Sequence, residues 1–295
     1  MVTGVLKEPL GIQEADRGQC FAQRLQHGLA SPGAGSAYDL LHLREGLLDG
    51  VVVRGVAGQV QELASPSLDQ LPHPTWLVCW QAVHGHHLTL LQLEGIVGEL
   101  DNPPIIMGHS AGGLFTQILL DHGYGAAGVA IDSAPAEGVR VTPVSQIRVF
   151  FPILRNPANR HKAIGFTPEQ FHYAFANTLS REDSDEVYER YHIPAPGSFV
   201  WAGPLANFTP GHQDVYVNFR NEDRAPLLFI AGGEDNLMPP AINQSNAKHY
   251  RHTNSVTDYK EFPGRSHYTV GQDGWEEVAD YALEWAVEHA KRPAA

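Results

Sequence analysis

Residues Ile105-Ile106-Met107-Gly108-His109-Ser110-Ala111-Gly112-Gly113-Leu114 decide how this chain is read. Three apolar residues closed off by a glycine suit a short parallel strand covered on both faces. The apolar stretch Leu114 to Leu120 that follows reads as a helix. Between strand and helix, Gly108-His109-Ser110-Ala111-Gly112 fits the pattern G-x-S-x-G. Alone the pattern recurs by chance, but a strand running into it and a helix leaving it make it specific. So tight a turn has no room for a side chain two residues either side of the serine. It holds Ser110 at the C-terminal edge of the sheet and at a helix N-terminus, where the dipole favours developing negative charge.

Working outward, Leu93 to Leu100 reads as the end of an amphipathic helix leading to Ile105. Val129-Ala130-Ile131 is a second buried strand ending at Asp132, and Pro226 to Ile230 a third, followed by Ala231-Gly232-Gly233. Val256 to Phe262 alternates as a fourth strand. Gly274 to His289 is a closing helix with Trp275, Val278, Tyr281, Ala282 and Trp285 as its buried stripe. Alternation of strand and helix gives the fold class α/β, a mostly parallel sheet with helices on both faces. Residues 93–134 and 225–292 form this core. The alternation breaks between Pro135 and Arg224, where aromatics and prolines concentrate. Thr167-Pro168-Glu169-Gln170 there is a helix start with a capping hydroxyl and Pro at the first helical position. A further helix runs from Ser180 to Tyr191. Residues 135–224 are therefore expected to be a cap inserted between two core strands.

GHSAGG (108–113), GGEDNLMPP (232–240) and GRSHYTV (264–270) follow one another in the chain. From about Leu93 to the C-terminus the sequence resembles the α/β-hydrolase superfamily of serine esterases, lipases and related acyl hydrolases, whose order is Ser, acid, His. The resemblance implies Ser110 as nucleophile, His267 as base, Asp235 as the acid orienting it, and the Ala111 N–H as part of the oxyanion hole. The chemistry fits, because a serine needs a base within hydrogen-bond reach and the base needs a carboxylate to fix its tautomer. Asp132 is a rival for the acid, since some members of the superfamily place it after that strand. His212, His249 and His252 lack the strand-end context of His267.

Residues 1–92 do not follow the family pattern. They hold one lysine, Lys7, and nine of the fifteen glutamines, and Leu47 to Val53 is their best strand candidate. The segment reads as divergent first strands or as foreign sequence. Val83-His84-Gly85 resembles the family's oxyanion loop, yet it lies so close before Ser110 that too little chain is expected between them for the intervening elements. Without a second backbone donor the enzyme would be slow, by about a hundredfold or more. With no strand from this segment, the edge of Ile105 to Met107 would also be unprotected.

Composition limits the rest. With 43% hydrophobic and 18% charged residues the chain is globular in composition. A net charge of −13 argues against nucleic acid and against an anionic membrane surface as partners. No apolar run reaches the roughly 20 residues of a membrane helix. The N-terminus lacks the apolar core of an export signal, and Cys20 and Cys79 are the only cysteines, so a cytoplasmic location is expected. His84-Gly85-His86-His87 has no Asp, Glu or Cys at ligand spacing, and neither metal nor cofactor is expected. The function expected is carboxylic-ester hydrolysis, with lactone or thioester as variants, on a small and mostly apolar molecule. The alternative is a ligand-binding or impaired relative without a complete oxyanion hole.

Overall fold

Runs of β-branched and aliphatic residues form the centre of the computed structural model, which describes residues 77–80, 90–198, 200–201 and 211–290. Five parallel strands make one sheet in the order β1-β2-β3-β6-β7. They are β1 (Leu77–Trp80), β2 (Ile105–His109), β3 (Ala127–Ile131), β6 (Leu227–Gly232) and β7 (Thr257–Phe262). β4 (Ala163–Ile164) and β5 (Ala195–Pro196) form a separate antiparallel pair. The helices are α1 (Leu90–Gly98), α2 (Ala111–Asp121), α3 (Val144–Leu154), α4 (Pro168–Phe175), α5 (Arg181–Tyr191), α6 (Pro240–His249) and α7 (Trp275–His289).

β2, β3 and β6 are apolar along their length because both faces are covered. Ile105, Met107, Val129, Ile131, Leu228 and Ile230 meet Val278, Ala282, Trp285 and Ala286 of α7. On the other face Ala130, Leu227 and Phe229 pack with Leu114, Ile118 and Leu120 of α2 and with Tyr250 after α6. Leu93 and Val97 of α1 close over Ile106 and Leu119. Gly128 is required for this approach: a Cβ there would lie 2.5 Å from Leu120 Cδ1.

All four strands expected from the sequence are present, and so is the closing helix. Its stripe differs in detail, since Ala286 is buried while Trp275 and Tyr281 are only half-buried. The added strand is β1, which pairs in parallel with β2 from Leu77 opposite Ile105 to Trp80 opposite Gly108. The expected unprotected edge of Ile105 to Met107 is therefore occupied. Among the described residues one helix, α1, lies between β1 and β2 in the chain. Leu47 to Val53, Val83-His84-Gly85 and His84-Gly85-His86-His87 lie outside the described residues.

In the region between β3 and β6, α4 begins as its sequence suggests. Thr167 Oγ1 accepts from the Gln170 N–H and the Gln170 side chain accepts from the Thr167 N–H, a reciprocal cap with Pro168 in the first turn. Ser180 caps α5, its Oγ accepting from the Asp183 N–H. α3 was not anticipated, because Pro152 inside it reads as a helix breaker. No helix among the described residues is long and apolar enough to cross a membrane.

Candidate active site

The turn from β2 into α2 is forced by packing. Ser110 sits at φ 59° and ψ −119°, a conformation L residues adopt only when their surroundings impose it. Its N–H donates to Ile131 O at 2.9 Å, and its carbonyl accepts from the N–H groups of Gly113 and Ala134, both at 3.0 Å. Gly108 makes the turn possible, since a Cβ there would lie 2.0 Å from Gly112 O. Ala111 opens α2, so its N–H has no acceptor in the helix, and it donates to none among the described residues.

Asp235 follows β6 in a loop that wraps around its own carboxylate. Oδ1 accepts from the N–H groups of Leu237 and Met238 at 2.7 and 2.8 Å. Oδ2 lies 2.7 Å from His267 Nδ1. A carboxylate oxygen accepts, so Nδ1 carries the imidazole proton and Nε2 is left with its lone pair. Both side chains are fully buried. Nε2 of His267 has no hydrogen-bond partner among the described residues. His267 touches the elbow through His109, the residue before Ser110: His109 Nε2 donates to His267 O at 2.8 Å and the two rings lie 4.6 Å apart. From the opposite side Phe175, at the end of α4, meets the His267 ring edge-on at 5.3 Å. The Phe175 carbonyl accepts from the Tyr268 N–H at 2.8 Å. Asn177 and Asn236 tie α4 to the Asp235 loop through Glu234 O and Tyr173 O.

Asp132, the rival acid, ends β3 at φ 44° and is fully buried. It does not reach His267. Its Oδ1 accepts the Gly232 N–H at 2.6 Å, while Oδ2 lies 3.9 Å from His109 Nε2 and has no hydrogen-bond partner among the described residues. Burial, and next the charge of neighbouring Asp235, push the Asp132 carboxyl well above its ordinary range, against a smaller pull from the Gly232 N–H. Asp132 thus favours its protonated form more than an exposed carboxyl does, beside a carboxylate that has three donors. Burial, with His267 next to it, lowers His109 to about 3, so its ring is neutral.

Sequence reasoning assigned no role to His109, Asn243 or Asn246. The two asparagines of α6 fix the chain beyond β3, Asn243 Oδ1 accepting from Ser133 N at 2.8 Å and Asn246 Oδ1 from Ala136 N at 3.2 Å. Only their spacing on one face of α6 could have signalled this. His212, His249 and His252 bond to Glu137, Ser245 O and Arg251 respectively. His109, Asp132 and His267 each place one ligand-type atom within 4.8 Å of the others. Of their ring nitrogens, His267 Nδ1 and His109 Nε2 are engaged by Asp235 and by a carbonyl.

The fold belongs to a known family. The profile of the alpha/beta hydrolase family matches residues 27–281, and the chain belongs to that family. No curated protein matches it in sequence. Among solved structures it is similar to a monoacylglycerol lipase from Paleococcus ferrophilus, at 22% identity and a TM-score of 0.46 over 68% of this chain and 74% of that one. A thermophilic esterase from Thermogutta terrifontis is 17% identical, with a TM-score of 0.45 over 68% and 71% of the two chains. A methylesterase from Arabidopsis is 14% identical, with a TM-score of 0.44 over 66% and 75%.

Proposed function

We propose that the protein is a serine hydrolase of carboxylic esters. The observation that carries this reading is a buried histidine, held by Asp235 at Nδ1 and unpartnered at Nε2 among the described residues, packed through His109 against the strained elbow that carries Ser110. Ser110 Oγ attacks the ester carbonyl and passes its proton to His267 Nε2. Asp235 keeps the accepting tautomer in place and stabilises the imidazolium that forms. The carbonyl oxygen, now an oxyanion, accepts from the Ala111 N–H at the head of α2, where the helix dipole adds to the field. His267 then protonates the departing alcohol, leaving an acyl group on Ser110. Water, deprotonated by the same imidazole, attacks that acyl carbonyl; the acid leaves and the proton returns to Ser110.

The groups around His267 and the Asp235 loop favour an apolar acyl or alcohol part. Leu237, Met238, Val149, Ala174 and Ile242 form a buried cluster flanked by Phe166, Tyr173 and Phe175. Lactones and thioesters meet the same requirement of an activated carbonyl, and the substrate is a small molecule. The test is Ser110→Ala against p-nitrophenyl butyrate. Hydrolysis should vanish while circular dichroism and the melting temperature show an intact fold. Retained activity in that variant would remove Ser110 from the reaction.

A further inference from the structure

The outer face of α3 differs from every other surface of the described chain. Six large hydrophobic residues are exposed among the described residues, and four of them are Val141, Val144, Ile147 and Phe151. Val144, Ile147 and Phe151 stand at i, i+3 and i+7, one stripe of the helix, with Val144 82% and Phe151 60% exposed. The opposite face is committed inward. Val149 and Ile153 are buried, and Gln146 Nε2 donates to Leu237 O at 3.3 Å, on the loop that carries Asp235.

Charge is distributed unusually over the same stretch. From Gly138 to Pro168 the sequence has Arg140, Arg148, Arg155, Arg160 and Lys162 and not one Asp or Glu, in a chain of net charge −13. All five are exposed, and none has a carboxylate within ion-pair distance among the described residues. Arg148, one turn from Val144 and next to Ile147, lies over the Tyr173 ring at 4.0 Å, and Arg155 at the end of α3 stands one turn beyond Phe151. The turn carrying Arg160 is joined to α3, Asn159 Nδ2 donating to Ile153 O at 3.0 Å. The neighbouring α5 shows what an ordinary solvent-facing helix looks like here: its sequence REDSDEVYERY is acidic and polar, with Arg181 paired to Glu169 and Asp185.

We infer that α3 docks the protein on the surface of an anionic phospholipid bilayer, Val144, Ile147 and Phe151 entering the headgroup boundary and the arginines meeting lipid phosphates. Aromatic and aliphatic residues on a short helix, with cations free of any carboxylate on it and at its end, are the composition of an interfacial helix. Long arginine stems let the charge reach phosphate while the stem covers apolar surface. A second copy of this chain would bring the same cations face to face, which disfavours self-association through α3. The chain-wide acidity hides this local reversal, since screening leaves a surface charge effective over only about 10 Å. The inference extends beyond ester hydrolysis and stands or falls by binding rather than by turnover. It also orients the molecule, because the helix that docks is bonded to the Asp235 loop.

Co-sedimentation of the full chain with vesicles tests it. Binding is expected to phosphatidylcholine vesicles containing phosphatidylglycerol, weaker to phosphatidylcholine alone, and falling as salt is raised. Arg155→Gln and Arg160→Gln should each lower partitioning by about fivefold, and Phe151→Ser by about tenfold. Ile193→Ser, at an exposed hydrophobic residue elsewhere, should leave it unchanged. All four variants should hydrolyse a water-soluble ester as the wild type does, so a failure of binding and a failure of catalysis are told apart. Absence of wild-type binding to the anionic vesicles, or binding that survives Phe151→Ser and the arginine changes, would overturn the inference. So would sedimentation showing a dimer that Phe151→Ser dissociates, which would assign α3 to self-association instead.

Discussion

Replacing Asp235 by Asn should be far more damaging than replacing Asp132 by Asn, although the two buried carboxyl groups lie close enough to repel. In Asp235→Asn the Leu237 and Met238 N–H groups, at 2.7 and 2.8 Å from Oδ1, still demand an acceptor and hold the amide oxygen in place. The NH2 group then occupies the position of Oδ2 and donates toward His267 Nδ1. His267 is forced into the tautomer with its proton on Nε2, where it cannot accept from Ser110. Turnover should fall by about four orders of magnitude, or roughly 5 kcal/mol of barrier. In Asp132→Asn the amide oxygen still accepts the Gly232 N–H, and the NH2 replaces an oxygen that touches no donor or acceptor among the described residues. That variant should lose less than about tenfold in turnover. Initial rates on p-nitrophenyl butyrate, on material shown to be folded, decide the matter. Equal losses, or a larger loss from Asp132→Asn, would refute the reasoning.

Three further outcomes follow from the same geometry. Asp132 gives up its proton less readily in the folded chain than in the unfolded one, so the wild type loses stability as pH rises above the ordinary carboxylate value. Chemical denaturation should therefore show Asp132→Asn gaining on the wild type as pH rises above about 4; a gap independent of pH would contradict a raised Asp132. His109 behaves oppositely, because its ring, lowered to about 3, must stay neutral while the unfolded chain binds a proton below about 6.5. This costs the wild type about 2 kcal/mol at pH 5, and His109→Gln should remove most of that acid sensitivity in the same denaturation experiment. Ser110→Gly should abolish turnover yet raise stability by about 1 kcal/mol, as glycine tolerates φ 59° without strain, and a lower melting temperature would argue against a strained elbow.

The sheet was legible wherever the chain is apolar and punctuated. Ile105 to Met107, Val129 to Ile131 and Pro226 to Ile230 are continuous runs between turn residues, and the strands form there. β1 was harder to see, because Leu77-Val78-Cys79-Trp80 is only four residues long and lies in a segment of unfamiliar composition. α3 was hidden by Pro152, which lies inside it and has no N–H for the i→i−4 hydrogen bond. At the site, order along the chain located Asp235 and His267 through strand ends, and the structure brings their side chains together. It could not separate Asp235 from Asp132. That distinction rests on which carboxylate oxygen faces Nδ1, and on three donors against one, neither of which has a sequence pattern. His109 was illegible for a related reason: a residue inside the elbow reads as a free position, and its bond to His267 O joins positions far apart in the chain.

The central claim, that Ser110 is an activated nucleophile, is tested most directly by a fluorophosphonate probe followed by peptide mass spectrometry. Phosphorus chemistry of this kind needs a serine whose proton is being withdrawn, and a pocket alone does not suffice. The wild type is expected to carry the probe on Ser110 and on no other serine, with labelling lost in Ser110→Ala and strongly slowed in His267→Gln. An unlabelled wild-type chain that is folded, or a label on any residue other than Ser110, would contradict the account.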